Sequence, residues 1–278
     1  MEEKETCCVV VCEAPLDQQY WDAQYQAEQT AWDLGCCSPA FTVLVDGIQN
    51  KDAAILLPGC GSSYEASYLL SQGFTDITLL DIAPTLVQKL QATFGDHPEV
   101  KVLLGDFFAH QKQYDYILEQ TFFCALPPHL RLQYVAKMYE LLKPNGQLLG
   151  LLFDTTFEVS PPFGGSKAEY IALFQSVFKL SLLEKTSLSV PKRKGVELAF
   201  QFQKKAAVVV STYRFQGITC SGCKSSVMEK FAAIPNVLSA QMNSAFDFVL
   251  LSSSAPIAFS DLQAAIAYEP DYHITPIS

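Results

Sequence analysis

Apolar and polar positions alternate along this chain in two rhythms. Between residues 53 and 153 short, nearly unbroken apolar runs recur: AAILL (53–57), DITLLD (76–81), VKVLLGD (100–106), YDYILE (114–119) and QLLGLLF (147–153). Between them lie YEASYLLSQ, PTLVQKLQATF and HLRLQYVAKMYELLK, whose apolar residues recur at helical spacing. Strands apolar on both faces and joined by helices predict a parallel sheet covered on both sides. Right-handed crossovers then wind it doubly and open a ligand crevice at the C-terminal ends of the strands. Ahead of this pattern, residues 16–49 read as helical: LDQQYWDAQYQAEQTAW, a break at Gly35 and Pro39, then AFTVLVDGI.

After residue 153 the rhythm changes. LSLLEKTSLSV and VELAFQFQ flank the basic turn PKRKG at 191–195, which predicts an antiparallel hairpin. A parallel sheet ending in such a hairpin resembles the class I methyltransferase core. Lys204 and Lys205 begin a short connector, and YRFQGI, a helix at 221–233, VLSAQM, FDFVLLS, a helix at 260–267 and YHITPI then read as βαββαβ, the ferredoxin-like order. The expected organisation is an α/β domain over 1–204, with a doubly wound, mostly parallel sheet, and a small ferredoxin-like domain over 209–278.

Composition narrows the partners. With 278 residues, 49% of them hydrophobic, the chain has enough apolar material for both domains. A formal net charge of −10 argues against nucleic acid, which needs a basic face, and leaves small molecules or metal ions. The acidic N-terminal stretch MEEKETCCVVVCEAP lacks the positive charge of a signal peptide, and its apolar part is too short to span a bilayer. A cytoplasmic protein with no membrane partner is therefore expected, its nine cysteines mostly reduced thiols. The vicinal pairs Cys7–Cys8 and Cys36–Cys37 read as small buried hydrophobes before they read as metal ligands.

The first candidate for chemistry is LLPGCG at 56–61. A strand running into Gly59-Cys60-Gly61 can turn sharply and bring its backbone against a ligand. The dinucleotide fingerprint wants a third glycine where this chain has Tyr64. S-adenosylmethionine has no phosphate to cradle and makes no such demand. Asp81 closes the second strand, where a carboxylate can accept from both ribose hydroxyls, and Asp106 closes the third, within reach of an adenine amino group. Either acid could instead be a helix cap or a solvated loop residue.

With YWDAQYQAEQTAWDLG, LLPGCG, LLDIAP, GDFF, TFFCALPP, ELLKPNGQL and PPF followed by AEY, in that order, the N-terminal two hundred residues resemble the thiopurine methyltransferase-like branch of class I S-adenosylmethionine-dependent methyltransferases, which includes the plant halide/thiol methyltransferases. The resemblance implies that Trp21, Tyr25 and Trp32 form an aromatic lid over the cofactor, although apart from it Trp21 and Trp32 read first as core residues of an amphipathic helix. It implies that Gly59, Gly61, Asp81, Asp106 and Phe107 hold the cofactor, and that Gln120 and Thr121 line the methyl-transfer cavity. Arg131, in PPHLRLQY, occupies the place of an active-site arginine in that family; the expectation is that it holds an anionic acceptor, the alternative that it faces solvent on its helix.

Methyl transfer from a sulfonium is an in-line displacement whose leaving group needs no proton, so alignment and exclusion of water suffice. The acceptor needs a lone pair, which a thiol supplies best as thiolate beside a cation. Cys60 and Cys124 fall inside the motifs but read as packing, since direct transfer needs no enzyme nucleophile.

The second candidate is GITCSGC at 217–223. Cys220 and Cys223, three residues apart where a loop enters a helix, sit where the helix dipole favours thiolate. Two thiolates suit Cu(I) or Hg(II); zinc would want four ligands. The segment 209–278 resembles the heavy-metal-associated domain, with Ile218 where that family usually has Met. A redox dithiol and a structural pair remain the alternatives. The expected function is an S-adenosylmethionine-dependent methyltransferase for a small soft nucleophile, with a thiophilic metal ion as second partner. The alternative is a metal-binding protein carrying an inactive methyltransferase-like scaffold.

Overall fold

The computed structural model describes residues 15–277; Cys7, Cys8, Cys12 and the acidic N-terminal stretch lie outside them. A seven-stranded sheet carries the first unit: β1 (Ala54–Pro58), β2 (Asp76–Asp81), β3 (Val100–Leu104), β4 (Tyr114–Gln120), β5 (Leu142–Phe153), β6 (Phe178–Lys185) and β7 (Glu197–Lys204), in the order β3-β2-β1-β4-β5-β7-β6. The first five strands pair in parallel, and β7 enters antiparallel between β5 and β6. This is the class I methyltransferase arrangement.

The strand pleat explains why the apolar runs are unbroken. On β1, Ile55 and Leu57 face one core with α2 (Pro39–Asp46), α3 (Tyr64–Ser71) and α4 (Pro84–Phe94). Ala54 and Leu56 face the other, with α5 (Arg131–Leu141) and α6 (Lys167–Phe174). At β1, buried at every position, both faces of the sheet are covered, so neither could be polar there.

The N-terminal helix is shorter than its apolar spacing suggests. Helix α1 (Gln18–Gln26) is capped by Asp17, whose carboxylate accepts from the Tyr20 N–H, and ends before Glu28, which is left-handed at φ 55°. Residues 27–38 have no helical structure. Helix α5 starts only at Arg131, since Pro127 and Pro128 hold the preceding backbone out of a regular helix. Helix α6 was not expected. Its signal is S-x-x-E at 166–169, half of a capping box in which the Ser166 hydroxyl accepts from the Glu169 N–H at 3.2 Å.

A second, antiparallel sheet is built from β8 (Val209–Gln216), α7 (Ser221–Ala232), β9 (Val237–Met242), β10 (Phe248–Ser253), α8 (Phe259–Ile266) and β11 (His273–Pro276), with strand order β11-β8-β10-β9. Its β10 is buried at every position. Val249 and Leu251 pack under α7 and α8 with Phe215, Phe231 and Leu262, whereas Phe248 and Leu250 join the core that contains Tyr134 and Met138 of α5. The second sheet is thus roofed by its own helices on one face and by the first unit on the other. Among the described residues no helix is long and apolar enough to cross a membrane.

Candidate active site

The turn after β1 is made by glycine for two separate reasons. Gly59 and Gly61 have φ of +54° and +51°, where side chains are strained. A Cβ on Gly59 would also fall 2.2 Å from the ring of Phe122. The turn is tied to the next strand: Cys60 N–H donates to the Leu80 carbonyl at 3.3 Å, and Gly61 N–H donates to Asp81 Oδ2 at the same distance. The other Asp81 oxygen accepts from the Ala83 N–H at 3.0 Å. Burial raises the Asp81 carboxyl above its usual range, and these main-chain N–H groups draw it back down. Asp106 is exposed. Its Oδ1 accepts from the Phe108 N–H at 2.9 Å, capping a single 3-10 turn, while the residue also borders the same hollow.

At the end of β4 the chain turns through Thr121, left-handed at φ 60°. The buried Glu119 carboxylate supports that turn by accepting from the N–H groups of Phe122 and Phe123, both at 2.8 Å, and from the Tyr134 hydroxyl at 2.6 Å. Burial pushes Glu119 up to about 7. The turn sets Phe122 against Gly59 and edge-on to Phe107, their centroids 5.1 Å apart.

Three aromatic rings close the opposite side. Trp32 meets Trp21 and Tyr25 edge to face at 5.5 and 5.8 Å. Behind them Arg193 donates from Nη2 to the Trp32 carbonyl at 2.8 Å, approaches Glu197 at 3.4 Å and lies over the Phe153 ring.

These pieces enclose one cavity of about 900 Å³. Trp21, Tyr25, Trp32, Gly59, Gly61, Asp81, Asp106, Phe107, Gln120 and Thr121 all line it, residues drawn from positions 21 to 121 of the chain. Arg131 does not. Its side chain is 6% exposed, paired with Glu169, hydrogen-bonded to the Gly164 carbonyl at 2.6 Å and stacked over Phe123, beside a smaller cavity of about 240 Å³ shared with the second sheet. Neither the acceptor-holding position nor the solvent-facing one describes it. The cations that do line the main cavity are Lys192 and Arg193, from the turn the sequence marks only as a hairpin corner. Cys60 and Cys124 also line it; burial raises both thiols, Cys124 to about 12, so both are protonated at neutral pH.

In the second unit Cys220 caps α7, its Sγ accepting from the Cys223 N–H at 3.1 Å. The two sulfurs are joined in a disulfide, not held as the reduced thiols expected; Cys36, Cys37, Cys60 and Cys124 are free. Among the described residues no three His, Cys, Asp or Glu side chains gather as a metal cluster.

Comparison with known proteins covers the first unit. Residues 16–211 match the model of the family described as thiopurine S-methyltransferase. The probable thiol methyltransferase 2 of Arabidopsis thaliana is 32% identical over 193 residues, 67% of this chain and 85% of that protein. Thiocyanate methyltransferase 1 of the same plant is 29% identical over 197 residues, 66% and 84% of the two chains. Among solved structures, the 1,6-didemethyltoxoflavin-N1-methyltransferase of Burkholderia thailandensis, bound to 1,6-didemethyltoxoflavin and S-adenosylhomocysteine, shares the fold at a TM-score of 0.56 and 18% identity, over 68% of this chain and 87% of that one.

Proposed function

The chain belongs to the thiopurine S-methyltransferase family and is an S-adenosylmethionine-dependent methyltransferase; on that premise we propose that its acceptor is a small, soft anionic nucleophile, a thiolate or its selenium counterpart. The observation that carries this reading is the convergence of glycine turn, strand-end acids, aromatic lid and two cations on one cavity.

The lining fits the cofactor. Ser63 Oγ and Gln120 Oε1 are buried acceptors with no donor, and both residues border the cavity. A ligand carrying an ammonium and ribose hydroxyls would satisfy them. When bound, S-adenosylmethionine supplies a methyl on a sulfonium whose departure leaves a neutral thioether. In this reading Asp81 would accept from the ribose, Asp106 and Phe107 would meet the adenine, and Trp21, Tyr25 and Trp32 would keep water out. Lys192 and Arg193 favour an acceptor that arrives as an anion, the role first expected of Arg131. The protonated Cys60 and Cys124 are poor nucleophiles, which supports direct transfer. An inactive scaffold draws no support from such a lining.

For the second unit we assign a ferredoxin-like fold of the heavy-metal-associated kind, on its βαββαβ order and its GITCSGC loop. In dithiol form Cys220 and Cys223 would hold a soft ion such as Cu(I) or Hg(II). The test of the whole reading is calorimetric binding of S-adenosylhomocysteine followed by a methyl-release assay against thiols, thiocyanate and halides. A chain that binds the nucleoside but methylates no soft anion sinks the acceptor assignment. Phosphine-reduced protein that takes up no stoichiometric Cu(I) or Hg(II) sinks the metal assignment.

A further inference from the structure

The two units are joined by more than their connector. Asn243, at the end of β9, is buried; its Nδ2 donates to the His129 carbonyl at 3.1 Å and its Oδ1 accepts from the N–H groups of Asp247 and Phe248, both at 3.1 Å. The Asn243 carbonyl accepts from Lys224 Nζ at 3.3 Å. Lys224 follows Cys223 directly, and His129 lines the main cavity. Two hydrogen bonds through one buried asparagine therefore connect the neighbour of the sulfur pair to the cavity wall. Gln241 pins the same edge, donating to the Ala172 carbonyl at 2.7 Å and accepting from the Ser176 hydroxyl at 2.9 Å. Phe248 and Leu250 seal the contact beneath. Of the sulfur pair itself, Cys220 is exposed and Cys223 half-buried.

Such a placement has consequences only for cargo that the cavity can use. A methyl leaving a sulfonium must be taken by a lone pair. Cu(I) and Hg(II), with filled d shells, have no valence lone pair to give to carbon. Trivalent arsenic and its congeners are as thiophilic as those ions and keep one. We propose that Cys220 and Cys223, as a dithiol, capture a trivalent metalloid of the arsenite class and pass it by way of the His129 wall to the cavity as a second methyl acceptor, an inference that rests on the methyl-transfer reading above.

The steps balance. A phosphine in vitro, or a dithiol reductant in the cell, first opens the disulfide. Arsenous acid then exchanges two hydroxyls for two As–S bonds and releases two waters; two waters reverse the exchange at the sulfurs, and the freed arsenous acid enters the cavity. There the arsenic lone pair forms the bond to the methyl carbon, and the carbon–sulfur bond breaks with its pair going to sulfur. One hydroxyl proton passes to solvent, leaving a methylated, formally pentavalent oxyacid. Capture on the same chain raises the local acceptor concentration, so its effect is largest when free arsenite is scarce.

The experiment uses the full chain, reduced with a phosphine, with arsenite and a simple thiolate as alternative acceptors. Methylated arsenic is expected, and in Cys220→Ser/Cys223→Ser the ratio of arsenite to thiolate kcat/KM falls at least tenfold, with the deficit shrinking as arsenite saturates. Cys220→Ala/Cys223→Ala serves if the serine pair fails to fold. An unchanged ratio overturns the proposal, as does a wild-type chain that methylates thiolate but never arsenite. A chain that binds no S-adenosylhomocysteine and methylates neither overturns the methyl-transfer reading along with it.

Discussion

Arg193 holds the main-chain carbonyl of Trp32 at 2.8 Å across 161 residues of sequence. The bond joins the hairpin corner to the N-terminal aromatic segment, so one side chain both latches the lid and supplies a cation to the cavity. Arg193→Met is expected to lower kcat/KM for anionic acceptors by roughly 10- to 100-fold, since a hydrogen bond from a charged group contributes about 1.5–3 kcal/mol. Steady-state kinetics with thiocyanate and a neutral acceptor checks this. Equal losses for both acceptors would reduce Arg193 to a latch.

Arg131 is expected to behave differently. Removing it leaves Glu169 without its partner, and breaking a buried pair costs about 3–5 kcal/mol. Glu169 is 39% exposed and can regain water, so the cost falls below that range. Arg131→Met should lower the melting temperature and leave the ranking of acceptors as it was, measured by thermal unfolding beside the same kinetics.

Gly59→Ala combines a left-handed backbone, costing about 1–2 kcal/mol for a side chain, with a Cβ 2.2 Å from the Phe122 ring. Phe122 cannot retreat freely, because Glu119 holds its N–H. Calorimetry should show S-adenosylhomocysteine binding weakened by roughly tenfold or more. Undiminished affinity would remove this turn from the cofactor site.

The protein has two tryptophans, Trp21 and Trp32, and both line the cavity. Saturating S-adenosylhomocysteine should therefore change the whole tryptophan emission. Trp32→Ala removes two edge-to-face contacts worth about 0.5–1.5 kcal/mol each and should raise the Kd roughly tenfold or more. Emission that ignores a ligand whose binding calorimetry detects would place the lid elsewhere.

Glu119 predicts a pH dependence. Burial raises it from 4.5 to about 7, so between those values the native chain keeps a proton that the unfolded chain has released. Stability then falls as pH rises: this contribution is complete below about 4.5 and lost as pH passes 7. Glu65, pushed up to about 6 by burial, acts in the same direction. The informative quantity is the difference between wild type and Glu119→Gln, whose amide oxygen can still accept from Phe122 and Phe123. Relative to that variant, the wild-type melting temperature should decline between pH 5 and 8; a flat difference contradicts the assignment.

The local geometry of the glycine turn and the strand ends is legible in the sequence. Gly59, Gly61 and Asp81 stand at strand ends, and the end of a strand follows from local apolar runs. Asp106 reads in sequence as either a cap or a ligand contact; in the fold it caps its turn and also borders the cavity. The arginines were not separable. Arg131 lies in the expected motif, but its direction is set by Glu169, 38 residues away, on a helix whose one sequence signal is the Ser166 cap. Arg193 sits in a turn of three basic residues, and nothing near it in sequence says that Trp32 awaits it.

Periodicity and turn chemistry act over a few residues, because they express backbone sterics and the facing of neighbouring side chains. They were enough to specify the alternation of strands and helices, the closing hairpin, the βαββαβ order and the glycine turn. Cavity walls, ion-pair partners and the docking of the second sheet on α5 and α6 depend on contacts between residues tens to more than a hundred positions apart. Those contacts form only when the packed chain chooses among partners of equal chemistry, so which arginine faces the cavity, and how the second unit is tied to the first, belonged to the fold as a whole.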